Sequence, residues 1–202
     1  MRYCVMIDEK LKIAEEKANE VLDKLNTENC LEDSMVSTKM ILRVVQQCTN
    51  TIIGIAYTSF SDFFGDNKAL NKCGAMMSVY KDDNDKQIAK IVVNADMEPE
   101  YQRFSLVHEL GHLMTGKHNI ENKNSYKLSA HINQNVFSIA KTTYDNDEDM
   151  LNEQIANVFA LKVLIPFNKL IPKISKDYNI EDVAAEFGVK EQAIISRIAL
   201  GE

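Results

Sequence analysis

The amino-acid sequence predicts an α+β fold in which helices pack on a short antiparallel sheet and a helical pair closes the C-terminal end. Three observations carry that expectation. Apolar residues recur at intervals of three and four between positions 8 and 48, a β-branched and aromatic region follows from Thr51, and helical spacing returns after Pro99. At 202 residues the chain suits one domain with at most a small appendage. We place a main domain at residues 1–170, including the N-terminal helices 8–48, and a C-terminal helical subdomain at 171–202 packed on it.

From Asp8 to Leu25 the residues Leu11, Ala14, Ala18, Val21, Leu22 and Leu25 form one apolar stripe, while Glu20 and Lys24 make a favourable i,i+4 pair on the polar side. Residues 26–36 (NTENCLEDSMV) read as a loop. A second helix is expected from Thr38 to Cys48, with Met40, Ile41, Val44, Val45 and Cys48 on its buried stripe. TIIGIAYTSF and GAMMSVY then read as strands on either side of a loop at GDNKALNKC, and QIAKIVVNA as a third strand. The charged hexapeptide KDDNDK between the last two reads as a solvated hairpin turn, because it lacks the central glycine and terminal glutamate of an EF-hand loop.

Pro99 suits the first turn of a helix, where its missing N–H costs nothing, and Glu98 and Glu100 complement the positive helix end. That helix is expected to reach Thr115. Residues 117–146 are polar and weakly periodic, a long excursion with a short strand at NVFSIA (135–140), and excursions of this length are often functional. Another helix is expected from Asp147 to Ile165, with acids in its first turn and Pro166 just beyond its end. Residues 179–200 (NIEDVAAEFGVKEQAIISRIAL) read as two short helices broken at Phe187-Gly188-Val189.

Composition narrows the function classes. With 45% hydrophobic and 26% charged residues and no apolar run near the eighteen needed to span a bilayer, the chain is expected to be soluble, with no membrane partner. The opening MRYCVMIDEK has too short an apolar patch for a secretory signal, so a cytoplasmic location is expected. The cysteines Cys4, Cys30, Cys48 and Cys73 show no CxxC spacing and read as reduced thiols. A formal net charge of -7 argues against nucleic acid as a partner. The C-terminal pair superficially resembles a helix-turn-helix offering Lys190 and Arg197, but Glu181, Asp182, Glu186 and Glu191 would repel phosphates, and DNA binding is only the third reading of the chain. Nothing in the sequence fixes an oligomeric state.

The chemistry concentrates in FSLVHELGHLM, residues 104–114. Each helical residue advances about 100°, so His108 and His112 project from one face. With Leu106 at zero, Leu110 and Leu113 fall within about 40° of it, and the histidines lie roughly 200° and 240° around. The helix thus has an apolar back and a polar front bearing both imidazoles. Two neutral imidazoles at i and i+4 can grip one zinc ion, and a catalytic site then wants a third protein ligand and an open position for solvent. Glu109, between them, is placed to accept a proton from water that the ion has acidified.

The alternative, two histidines satisfied on an exposed face, weakens once EQIANVFALKVLIP is read. Glu153 begins it, and Asn157, Ala160 and Leu164 share its side, with Ala156 flanking. Those small residues would let the two helices approach closely. Ile155, Val158, Phe159, Leu161 and Val163 make the helix apolar nearly all round, so it must be buried, and a carboxylate near its start needs a partner. Glu153 supplies the third ligand.

RFSLVHELGHLM followed by ExxANxFAxxxLxP resembles the ImmA/IrrE family of metallopeptidases, and IVVNADMEPEYQ resembles the strand and link before that family's active-site helix. The resemblance runs from about Gly74 to Pro166. It implies a small zincin-like fold of the gluzincin kind, with a cleft beside the sheet's edge strand. It implies that His108, His112 and Glu153 bind one zinc ion and that Glu109 is the general base, although ligand type alone leaves manganese open. Better-known relatives are intracellular proteins of bacteria and their mobile elements that inactivate a helix-turn-helix repressor, so the expected function is a zinc endopeptidase acting as an anti-repressor on a repressor encoded nearby. A zincin-fold module that binds a repressor or antitoxin without hydrolysis is the alternative. The stretch between His112 and Glu153 is longer than the family's usual link and is expected to form a flap or a partner surface. An oxyanion donor is sought there among His118, Tyr126, His131 and Tyr144, with His131 slightly favoured.

Overall fold

The computed structural model describes residues 2–28, 34–67, 70–116, 120–121, 129–132, 147–174 and 179–201. Helix α1 (Arg2–Thr27) extends upstream of the expected Asp8 start. No proline or glycine lies between Arg2 and Asp8 to stop it. Its stripe Ala14, Ala18, Val21 and Leu25 is fully buried, and α2 (Thr38–Thr49) adds Ile41, Val44 and Val45.

Strand β1 (Ile52–Thr58) is followed by a short helix α3 (Phe60–Phe64) that the β-rich reading of TIIGIAYTSF missed. The signal was Ser59, whose hydroxyl caps the helix by accepting from the Asp62 N–H at 3.1 Å. A single 3-10 turn (Leu70–Lys72) leads into β2 (Cys73–Lys81), and β3 (Gln87–Asn94) follows. KDDNDK is the hairpin turn between them: the Asp82 carboxylate accepts from the Asn84 and Lys86 N–H groups, both at 2.9 Å.

The sheet is mixed, which corrects the expectation of a purely antiparallel one. β2 and β3 pair antiparallel from Ala75↔Val93 to Lys81↔Gln87, but β1 lies parallel to β3, from Ile52↔Ile88 to Thr58↔Asn94. The connection through α3 carries the chain across so that β1 neighbours β3 instead of β2, and parallel neighbours need such a crossover. Two short segments, β4 (Ile120–Glu121) and β5 (Ser129–Ile132), pair with β2 on its other side.

Helix α4 (Pro99–Thr115) runs over the length expected for the histidine helix. It lies tight on β2, because a Cβ added at Gly74 would fall 2.1 Å from the Ser105 hydroxyl oxygen. Helix α5 (Asp147–Leu164) packs on α4 from the other side, and α1 lies against α5, where Lys162 pairs with Glu15. Pro166 ends α5 as expected and also begins α6 (Phe167–Ile174), since its carbonyl accepts from the Leu170 N–H at 3.0 Å. Reading that proline only as a stop hid α6.

The last helices, α7 (Ile180–Phe187) and α8 (Glu191–Leu200), turn at Gly188, whose φ of 61° suits glycine. Val183, Ala184, Phe187, Ala193 and Ile194 join the same buried cluster as Leu106, Leu110 and Phe159. Arg103 ties this end to α4: its guanidinium donates to the carbonyls of Val36, Phe187 and Gly188, and its Nε to Thr38 Oγ1. Burial pulls its pKa down to about 10. Among the described residues no single helix is long and apolar enough to cross a membrane.

Candidate metal centre

Every residue of α4 from Phe104 to Met114 is buried. The apolar back accounts for Leu106, Leu110 and Leu113. The front is buried as well, because α5 covers it, and so His108, Glu109 and His112 are at most 8% exposed. The close fit comes from Gly111 inside HELGH, where an added Cβ would lie 3.0 Å from Phe159 Cδ1 and 3.1 Å from both Cα and O of Ala156. Glycine there, facing alanine, brings the two backbones together.

That approach delivers Glu153 to the histidines. His108 Nε2 is 3.1 Å from Glu153 Oε2, His112 Nε2 is 3.2 Å from Glu153 Oε1, and the two Nε2 atoms are 3.1 Å apart. The three side chains form the one His/Cys/Asp/Glu group among the described residues with metal-holding geometry. The edges fit an ion: four ligands held tetrahedrally at 2.0–2.1 Å would stand roughly 3.3 Å from one another. The donor chemistry fits too, since two imidazole nitrogens and a carboxylate suit a borderline-soft divalent cation. This buried group could hold a metal ion.

The electrostatics agree with that use. Burial lowers the His112 pKa, and the charge of His108 adds to the effect, against the pull of Glu153 and Glu109 in the other direction. The lone pair is thereby kept available, since only the neutral imidazole ligates. Glu109 is 1% exposed, and its Oε2 has no hydrogen-bond partner among the described residues. A buried carboxylate oxygen in that state is costly as a structural feature and suited to receiving a proton.

Of the weaker candidates, His118, Tyr126 and Tyr144 lie outside the described residues, as does the expected strand at 135–140. His131 falls on β5, where only the backbone is described. The cations of the helix-turn-helix reading are both engaged: Arg197 is 3% exposed and donates to the Ile165 and Gly201 carbonyls, and Lys190 pairs with Glu98.

One neighbour carried more than the sequence suggested. Asn157, counted there as a small residue permitting close approach, has its Oδ1 2.8 Å from His108 Nδ1. Its position four residues after Glu153 was the available signal, because such residues share a helix face.

Among curated proteins none matches the chain significantly. Residues 71–199, however, match the IrrE N-terminal-like domain of peptidase family M78, a span that runs from the turn before β2 into α8 and includes both helices of the centre. The chain therefore belongs to the IrrE N-terminal-like peptidase family, and the matched span contains the three side chains that α4 and α5 bring together.

Proposed function

We propose that the protein is a zinc-dependent endopeptidase of the cell interior that cleaves a helix-turn-helix transcriptional repressor encoded nearby, and so acts as an anti-repressor. The observation that carries the enzymatic part is the convergence of His108, His112 and Glu153 beside a buried carboxylate, Glu109, one of whose oxygens has no hydrogen-bond partner among the described residues. The choice of substrate rests on the motif resemblance and family membership.

His108, His112 and Glu153 would hold the ion. Zinc so held supplies Lewis acidity, polarising a peptide carbonyl and bringing the pKa of water down to around 7. Glu109 takes the proton from the attacking water on a carboxylate oxygen as the water oxygen bonds to the carbonyl carbon. It then gives that proton to the amide nitrogen, which leaves as the amine when the C–N bond breaks. The low exposure of Glu109 keeps bulk water from competing for this proton.

The test is a time course of the zinc-loaded protein with the neighbouring repressor, read by mass spectrometry. Fragments are expected with wild type and none with Glu109→Gln, which should keep its zinc. Equal cleavage by Glu109→Gln would remove the assigned base. A stable complex without fragments would point to the non-hydrolytic binding module instead.

A further inference from the structure

Asn157 stands one helical turn beyond Glu153 on α5, and its Oδ1 meets His108 Nδ1 at 2.8 Å. An amide oxygen has lone pairs and no hydrogen, so the proton in this contact belongs to the imidazole. His108 is thereby held as the tautomer with hydrogen on Nδ1 and a lone pair on Nε2. Nε2 is the atom that lies 3.1 Å from Glu153 Oε2 and 3.1 Å from His112 Nε2.

From this we infer that Asn157 is a positioning residue of the metal centre, fixing the tautomer and ring plane of His108 from the helix that also supplies Glu153. The inference rests on the metal reading above. It makes α5 responsible for one ligand directly and for a second through its support, so the spacing of four between Glu153 and Asn157 sets both at once. Asparagine adds no charge. The support given to His108 Nδ1 is therefore neutral, and among the described residues the carboxylates at the centre are those of Glu153 and Glu109.

The test compares full-length wild type, Asn157→Leu and Asn157→Asp. Leucine keeps the volume and removes the acceptor; aspartate keeps the acceptor. Zinc affinity is measured by competition with a chromophoric chelator, the thermal midpoint is measured on the metal-free proteins, and the Nδ1–H signal of His108 is followed by NMR in the zinc-loaded state. Asn157→Leu should bind zinc about 10- to 100-fold more weakly and lose or broaden that signal, with the metal-free midpoint little changed. Asn157→Asp should bind at least as tightly as wild type. Wild-type affinity in Asn157→Leu overturns the inference and leaves the metal site standing. Failure of aspartate to rescue, or a loss of affinity matched by a collapse of the metal-free midpoint, also overturns it. A wild-type protein that holds no zinc overturns this inference together with the proposed function.

Discussion

Replacing Gly111 by alanine tests whether the spacing of α4 and α5 sets the metal centre. The new methyl would sit 3.0 Å from Phe159 Cδ1 and 3.1 Å from the Ala156 Cα and O. Comfortable contacts between such atoms lie near 3.5–4.0 Å, so α5 must retreat by roughly 0.5 Å, and two of the three obstacles are main chain that cannot swing aside. Ala156 lies between Glu153 and Asn157, so both move with it. The His–Glu edges, now 3.1 and 3.2 Å, would widen to about 3.6 Å, past the roughly 3.3 Å of a tetrahedral zinc site. Stability should change less, because alanine favours the helix by about 1 kcal/mol while overpacking costs about 1–3 kcal/mol. The net is a destabilisation of about 0–2 kcal/mol. Zinc affinity is expected to fall on the order of tenfold or more, measured by chelator competition beside a denaturant titration of the metal-free protein. Wild-type affinity and wild-type stability together would refute the argument that this glycine limits the approach.

Three other outcomes follow from the same geometry. Glu153→Ala reduces a three-ligand site to two, so elemental analysis after gel filtration should find most of the metal lost, while Glu153→Asp retains an intermediate amount. Removing zinc with a chelator should lower the thermal midpoint by roughly 10 °C, since ligand at a thousandfold excess over its Kd contributes about 4 kcal/mol; an unchanged midpoint would mean that no ion bridges the helices. Arg103→Met strands the carbonyls of Val36, Phe187 and Gly188 and should cost about 1–3 kcal/mol by urea denaturation. Lysine should not restore it, because a point-charge ammonium cannot reach three carbonyls spread over two chain segments.

That the two histidines share a face was legible in the sequence because helical spacing is local. His108 and His112 are four apart, and Ala156 and Ala160 announce in their size that two helices come close, although the part of Gly111 in that approach shows only in the structure. The extent of α4 was equally readable from Pro99. Less could be read wherever a residue serves two elements or a partner is distant. Pro166 stops one helix and starts the next. Ser59 ends a strand and caps α3, inside a segment whose composition speaks for β-structure. The parallel pairing of β1 with β3 depends on the order of strands in space, which alternation along each strand does not encode. Burial of the histidine face was also hidden, since a wheel of α4 alone shows a polar side and says nothing of what covers it. The contact of Asn157 with His108 joins positions 49 apart, and residue type gives no hint of it.

The direct packing of α4 on α5 has a consequence for the long stretch of chain between them. His112 and Glu153 are 41 positions apart (153 − 112), yet their meeting depends on Gly111 against Ala156 and on the buried faces around them. Those contacts lie on α4 and α5 themselves. Doubling such a connection changes its closure entropy by only about 0.6 kcal/mol. A change in the length of this span would therefore cost little in chain entropy, and α4 against α5 would still set the distances among His108, His112 and Glu153.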